Sequence, residues 1–137
     1  MEKYIYWRNT SGLSGDQDET SGSVMYPVSH ILGISAGDGS TDAEGAITDD
    51  DNRFTIYLKP MRAAFADNTT GAGADRPDWV VFDTSGGDTD FRLVFEELVG
   101  TMNSNLSNGM ITLFDGVTGT GLSAITGIHG SQVQVRD

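Results

Sequence analysis

One stretch of this 137-residue chain, residues 88–103 (DTDFRLVFEELVGTMN), carries the period of an α-helix, and it limits what the rest can be. Phe91, Val94, Phe95, Leu98 and Met102 recur at the spacing that lines one helical face, while Arg92, Glu96 and Glu97 fall off it. Asp88 or Thr89 is placed to cap the first turn, and Gly100 with the Asn-rich run after it supplies stop signals. A lone apolar stripe must be buried against something. What remains reads as short strands and turns, with 18 glycines among them.

The strands follow from alternation. Residues 3–7 set Tyr4 and Tyr6 on one face and Ile5 and Trp7 on the other. Residues 9–23 form a polar, glycine-punctuated loop, and a strand is expected near 28–34, with Pro27 at its start or at a sheet edge. RFTIYLK at 53–59 alternates most cleanly, with Phe54, Ile56 and Leu58 against Thr55, Tyr57 and Lys59. WVVF at 79–82 is a short apolar run. Residues 109–114 and 122–135 complete the set, the last broken by Gly127 and Gly130. Strands in a run, with one helix near the C-terminal side, predict a single α+β domain over 1–137. Its expected architecture is a mostly antiparallel sheet, or a small barrel, of about six strands packed on that helix.

Charge narrows the function classes. With 20 acidic and 8 basic side chains the net charge is -12, which repels nucleic acid and anionic membranes. Six carboxylates and no cation fall in 36–52, a composition that favours an exposed loop. The absence of cysteine removes disulfides and thiolate metal sites. No apolar run approaches the ~20 residues of a membrane span, and the opening MEKYIYWR lacks the pattern of a signal peptide, so the chain is expected to work where it is made.

Each candidate for chemistry has a plainer counterpart. Asp83-Thr84-Ser85-Gly86 after an apolar strand invites comparison with the turn of a homodimeric aspartic protease, but Ser85 stands where that turn needs glycine and a helix follows at once. Gly86-Gly87 before a helix could receive an anion, yet Asp88 and Asp90 would occupy that positive end themselves. Asp38, Ser40, Asp42 and Glu44, with Asp49 closing, have the alternation of a Ca²⁺ loop. Ala43 replaces the middle glycine, so solvated surface charge is the competing account, and Asp49, Asp50 and Asp51 also read as a turn that discourages strand pairing. His30 and His129 have no second ligand at metal spacing, and Ser29 and His30, as neighbours on a strand, point to opposite faces. The aromatics Tyr4, Tyr6, Trp7 and Tyr57 could stack nucleic-acid bases, but only Lys3, Arg8, Arg53 and Lys59 accompany them; packing and interface use is the expected role.

Three stretches carry a resemblance: Tyr4-Ile5-Tyr6-Trp7-Arg8; Thr55-Ile56-Tyr57-Leu58-Lys59-Pro60 with Arg62 soon after; and Gly109-Met110-Ile111-Thr112-Leu113-Phe114-Asp115 following the helix. In these, and in element order over most of the chain, the protein resembles the short acidic proteins of marine cyanophages and related ocean viruses. The resemblance implies a structural role in the virion, a location in the virion or the host cytoplasm, and no defined functional residue. The loops at 38–51 and 66–76 have no counterpart in it.

The expected function is therefore non-enzymatic: a viral structural or assembly protein that associates with itself or with other virion proteins. Sheet edges and aromatic faces at Tyr4, Tyr6, Trp7, Phe54 and Tyr57 would make the contacts. No cofactor is expected. An acidic module for a basic protein partner, or for Ca²⁺ at Asp38, Asp42, Glu44 and Asp49, is the alternative, and a homodimeric aspartic protease a remote one.

Overall fold

The computed structural model describes residues 2–9, 12, 22–37, 52–59, 78–84, 90–104 and 108–132. In chain order these form β1 (Tyr4–Arg8), β2 (Ser23–Pro27), a 3-10 turn (Val28–His30), β3 (Ile31–Ala36), β4 (Arg53–Leu58), β5 (Asp78–Thr84), α1 (Phe91–Met102), β6 (Met110–Asp115), β7 (Thr120–Gly121) and β8 (Ile125–Gln132). The strands make two four-stranded sheets, β2-β1-β6-β7 and β3-β4-β5-β8. The α+β class expected from sequence holds, with the strands in two sheets that do not close into a barrel. All pairings are antiparallel except β1 with β6.

A relay of aromatic rings joins the layers. Trp7 of the first sheet stacks on Tyr26 at 5.6 Å between centroids and meets Phe82 of the second sheet edge-on at 6.2 Å. Phe82 lies 5.4 Å from Phe54, which meets Phe95 of α1 edge-on at 6.0 Å. Ile5, Ile56, Leu58, Val80, Leu98, Ile111 and Leu113 fill the space around these rings, giving one core shared by both sheets and the helix. The helical stripe is buried as its spacing requires: Val94 and Leu98 fully, Phe91, Phe95 and Met102 in part.

Four local expectations need correction. The cap of α1 is Asp90, whose Oδ1 accepts from the Arg92 N–H at 3.1 Å, while Asp88 and Thr89 lie outside the described residues. The helix runs through Gly100, where an added Cβ would meet nothing, and ends at Met102 with Asn103, the first of the Asn-rich run, as its C-cap. Its exposed carbonyls there are met from 99 residues away, by Lys3 Nζ donating to Met102 O at 2.5 Å and to Ser104 O at 2.7 Å.

The strand expected over 28–34 begins only at Ile31, and residues 28–30 form a corner. Pro27 ends β2, the turn at Val28–His30 swings the chain across, and β3 begins in the opposite sheet. The ladders continue into the corner on both sides, with Val28 N–H donating to Lys3 O and Lys59 N–H to His30 O, each at 2.8 Å.

The middle of strands β4 and β5 is also buried on the face away from the core. Thr55 and Val81 are each 2% exposed, and the Thr55 hydroxyl donates to Gly37 O at 2.8 Å. This explains why WVVF is continuously apolar. Finally, the stretch expected as one strand over 122–135 begins as β8 only at Ile125, after a tight turn into β7. Gly121, at φ 153°, closes that turn because a Cβ there would collide with the Leu113 carbonyl.

Candidate functional site

Alternation in β1 sorts its side chains without remainder. Ile5 and Trp7 are buried in the core, and Tyr4 and Tyr6 turn outward. Register then sets their neighbours. Tyr4 stands between Pro27 and Met110, and Tyr6 between Met25 and Thr112. These six residues form two rows across three strands on the outer face of the first sheet, and none carries a charge. Met25 is 47% exposed and the other five are half-buried. The Tyr6 hydroxyl shares a hydrogen bond with Ser23 Oγ at 3.3 Å.

Beside this patch lies one tightly held charge pair. Arg8 grips Asp115 with two parallel bonds, Nε to Oδ1 at 2.9 Å and the guanidinium Nη2 to Oδ2 at 2.7 Å. The Arg8 bonds hold the Asp115 carboxyl below the usual carboxylate range, burial opposes them, and N–H bonds from Val117 and Thr118 add to the lowering.

The sheet edges carry features that discourage extension by another strand. β7 has only two residues, β2 ends in Pro27, and β3 is bulged between Ile31 and Gly33, leaving Leu32 63% exposed. β8 is irregular twice against β5. Outward faces are therefore better contact surfaces than edges in this fold.

The expected interface set divides accordingly. Tyr4 and Tyr6 are brought together. Trp7 and Phe54 are corrected: at 1% and 0% exposure both are core residues, because each lies on the inward parity of its strand and in the ring relay. Tyr57 is half-buried on the outer face of the other sheet, in register with Gly33 and Trp79.

The other candidates fare unevenly. Asp38, Ser40, Asp42, Glu44 and Asp49 lie outside the described residues, as do Asp50, Asp51, Ser85, Gly86 and Gly87. Among the described residues no three His, Asp or Glu side chains gather as a metal site. Asp83 pairs with Arg53, its Oδ1 accepting from Arg53 Nε at 3.0 Å. His30 sits in the corner turn with its Nδ1 buried and unbonded, and His129 is an exposed residue on β8. An open hollow of about 700 Å³ lies against Arg92, Phe95, Glu96, Val99 and Gly100 on the outer side of α1.

Sequence reasoning missed one polar contact inside the core. Tyr26 of the first sheet donates its hydroxyl to Asp78 Oδ2 of the second at 2.5 Å, and both side chains are fully buried. Burial first, then the Asp78 bond and charge, push the Tyr26 phenol far above its ordinary range. The available signal was a carboxylate directly abutting WVVF, where a strand of that composition has no exposed side.

No family model, curated protein or solved structure matches the chain. No helix among the described residues is long and apolar enough to cross a membrane.

Proposed function

We propose that this protein is a non-enzymatic structural component of a viral particle, acting by self-association through the outer face of its first sheet. The observation that carries this reading is the uncharged patch of Pro27, Tyr4, Met110, Met25, Tyr6 and Thr112, set in a chain of net charge -12. Copies of so acidic a chain repel one another over most of their surface, and an uncharged aromatic and methionine face is where they can approach at least cost. Tyrosine and methionine are favoured at such contacts because they offer large area with adaptable edges. The resemblance to short acidic cyanophage proteins supports the viral setting.

Three strands present little area beside the ~800 Å² per partner of a stable dimer. Each contact is then weak, and many copies acting together hold the assembly, with association rising steeply with concentration. Added salt should strengthen it by screening the mutual repulsion. Sedimentation velocity over a range of concentration and ionic strength tests this: larger species should appear as both rise, and Tyr6→Glu should suppress them while leaving the circular-dichroism spectrum unchanged. A wild-type chain that stays monomeric at high concentration and high salt would refute the reading.

A further inference from the structure

Asn108-Gly109 is the sole Asn-Gly pair in the sequence, and it lies in the turn that leads into β6. We propose that Asn108 is a site of spontaneous deamidation in the folded protein, a modification that alters the central seam of the first sheet.

The geometry supplies what the reaction needs. Asn108 is exposed, and Gly109, at φ 71°, has no side chain to obstruct attack by its own backbone nitrogen. The Asn108 Oδ1 accepts from the Met110 N–H at 3.0 Å. That donor polarises the side-chain carbonyl and stands where negative charge develops as the ring closes. No acceptor among the described residues meets the Gly109 N–H.

Two other sites show the contrary arrangement. At Asp115-Gly116 the carboxylate is held by Arg8, and the Gly116 N–H is committed to Arg8 O at 2.7 Å. At Asn103-Ser104 the following N–H donates to Thr101 O at 3.2 Å. Both N–H groups are committed, where that of Gly109 meets no acceptor among the described residues.

The steps balance without any oxidant or cofactor. The Gly109 nitrogen, having lost its proton to hydroxide, bonds to the Asn108 Cγ, and the side-chain nitrogen leaves as ammonia. Water then opens the five-membered imide at either carbonyl, giving aspartate or isoaspartate. Either product adds one negative charge; isoaspartate also adds a methylene to the main chain. That methylene falls two residues before Met110, which pairs with Tyr4, and at the residue preceding Gly109, whose carbonyl accepts from the Tyr4 N–H at 2.8 Å. The parallel β1–β6 pairing is thus disturbed at its first rung.

Peptide mapping by mass spectrometry of the full chain, aged in mildly acidic and mildly alkaline buffer, tests this. Conversion should concentrate at Asn108 and rise with pH, and its rate should stay within about tenfold of that in the same chain held in denaturant, because the Asn108 side chain is exposed and Gly109 has no Cβ to hinder ring closure. An isoaspartyl methyltransferase should label the aged protein, and should not label Asn108→Gln, whose longer side chain closes the ring poorly. If Asn108 persists in the native protein while the denatured chain converts readily, or if Asn103 converts as fast, the proposal is overturned.

Discussion

At the residue scale the most consequential contact is Tyr26 to Asp78, a fully buried hydrogen bond that spans the two sheets beside the apolar core. Its value lies mainly in the cost of leaving it unmade. Removing the donor takes one hydrogen bond from a buried carboxylate, so Tyr26→Phe should destabilise the fold by about 1–3 kcal/mol although the ring and its stacking on Trp7 remain. Chemical denaturation followed by tryptophan fluorescence would measure it.

Asp115 gives a pH dependence of definite sign. Its carboxyl is lowered in the folded state, so the Arg8 pair contributes stability that is present above the ordinary aspartate range and is lost as pH falls through the lowered value. Asp115→Asn should therefore lower stability at neutral pH by about 1–2 kcal/mol, scaled down for partial solvent access, and should flatten the acid limb of the stability profile. Unfolding midpoints of both proteins over an acid series would show the two curves converging at low pH.

At the element scale, α1 is held by its ends as much as by its stripe. Asp90 closes the first turn and Lys3 closes the last from the start of the chain. Asp90→Ala should cost about 1 kcal/mol of stability, as expected for loss of an N-cap acceptor, with little change in the native circular-dichroism spectrum. Thermal unfolding would read the shift. The strands carry a different lesson. Phe54, Ile56 and Leu58 are buried as their alternation foretells, while Thr55, on the opposite parity, is buried too. Alternation marks faces, but it does not say how many faces a strand will have covered.

At the scale of the whole molecule, two sheets and a helix share one core, and a six-residue patch on the outward face of the first sheet is left uncharged. That contrast with the acidity of the chain supports the assembly role. It also ties the role to Asn108, since Met110 lies both in the uncharged patch and next to the turn expected to age.

What the sequence determined by itself was local. The 3.6-residue stripe placed α1, two-residue alternation placed β1 and β4, and it set Tyr4 and Tyr6 on the face opposite Ile5 and Trp7. Periodicity is a property of adjacent residues, so it survives without knowledge of the rest of the chain. Only the tertiary structure decided that β1 pairs in parallel with β6, that Pro27 begins a corner between sheets, that Trp7 and Phe54 face inward to a shared aromatic relay, and that Tyr26 finds Asp78. Those outcomes depend on contacts between residues tens of positions apart. Their free energy comes from burial and hydrogen bonding made only when distant segments meet, which no window along the chain contains.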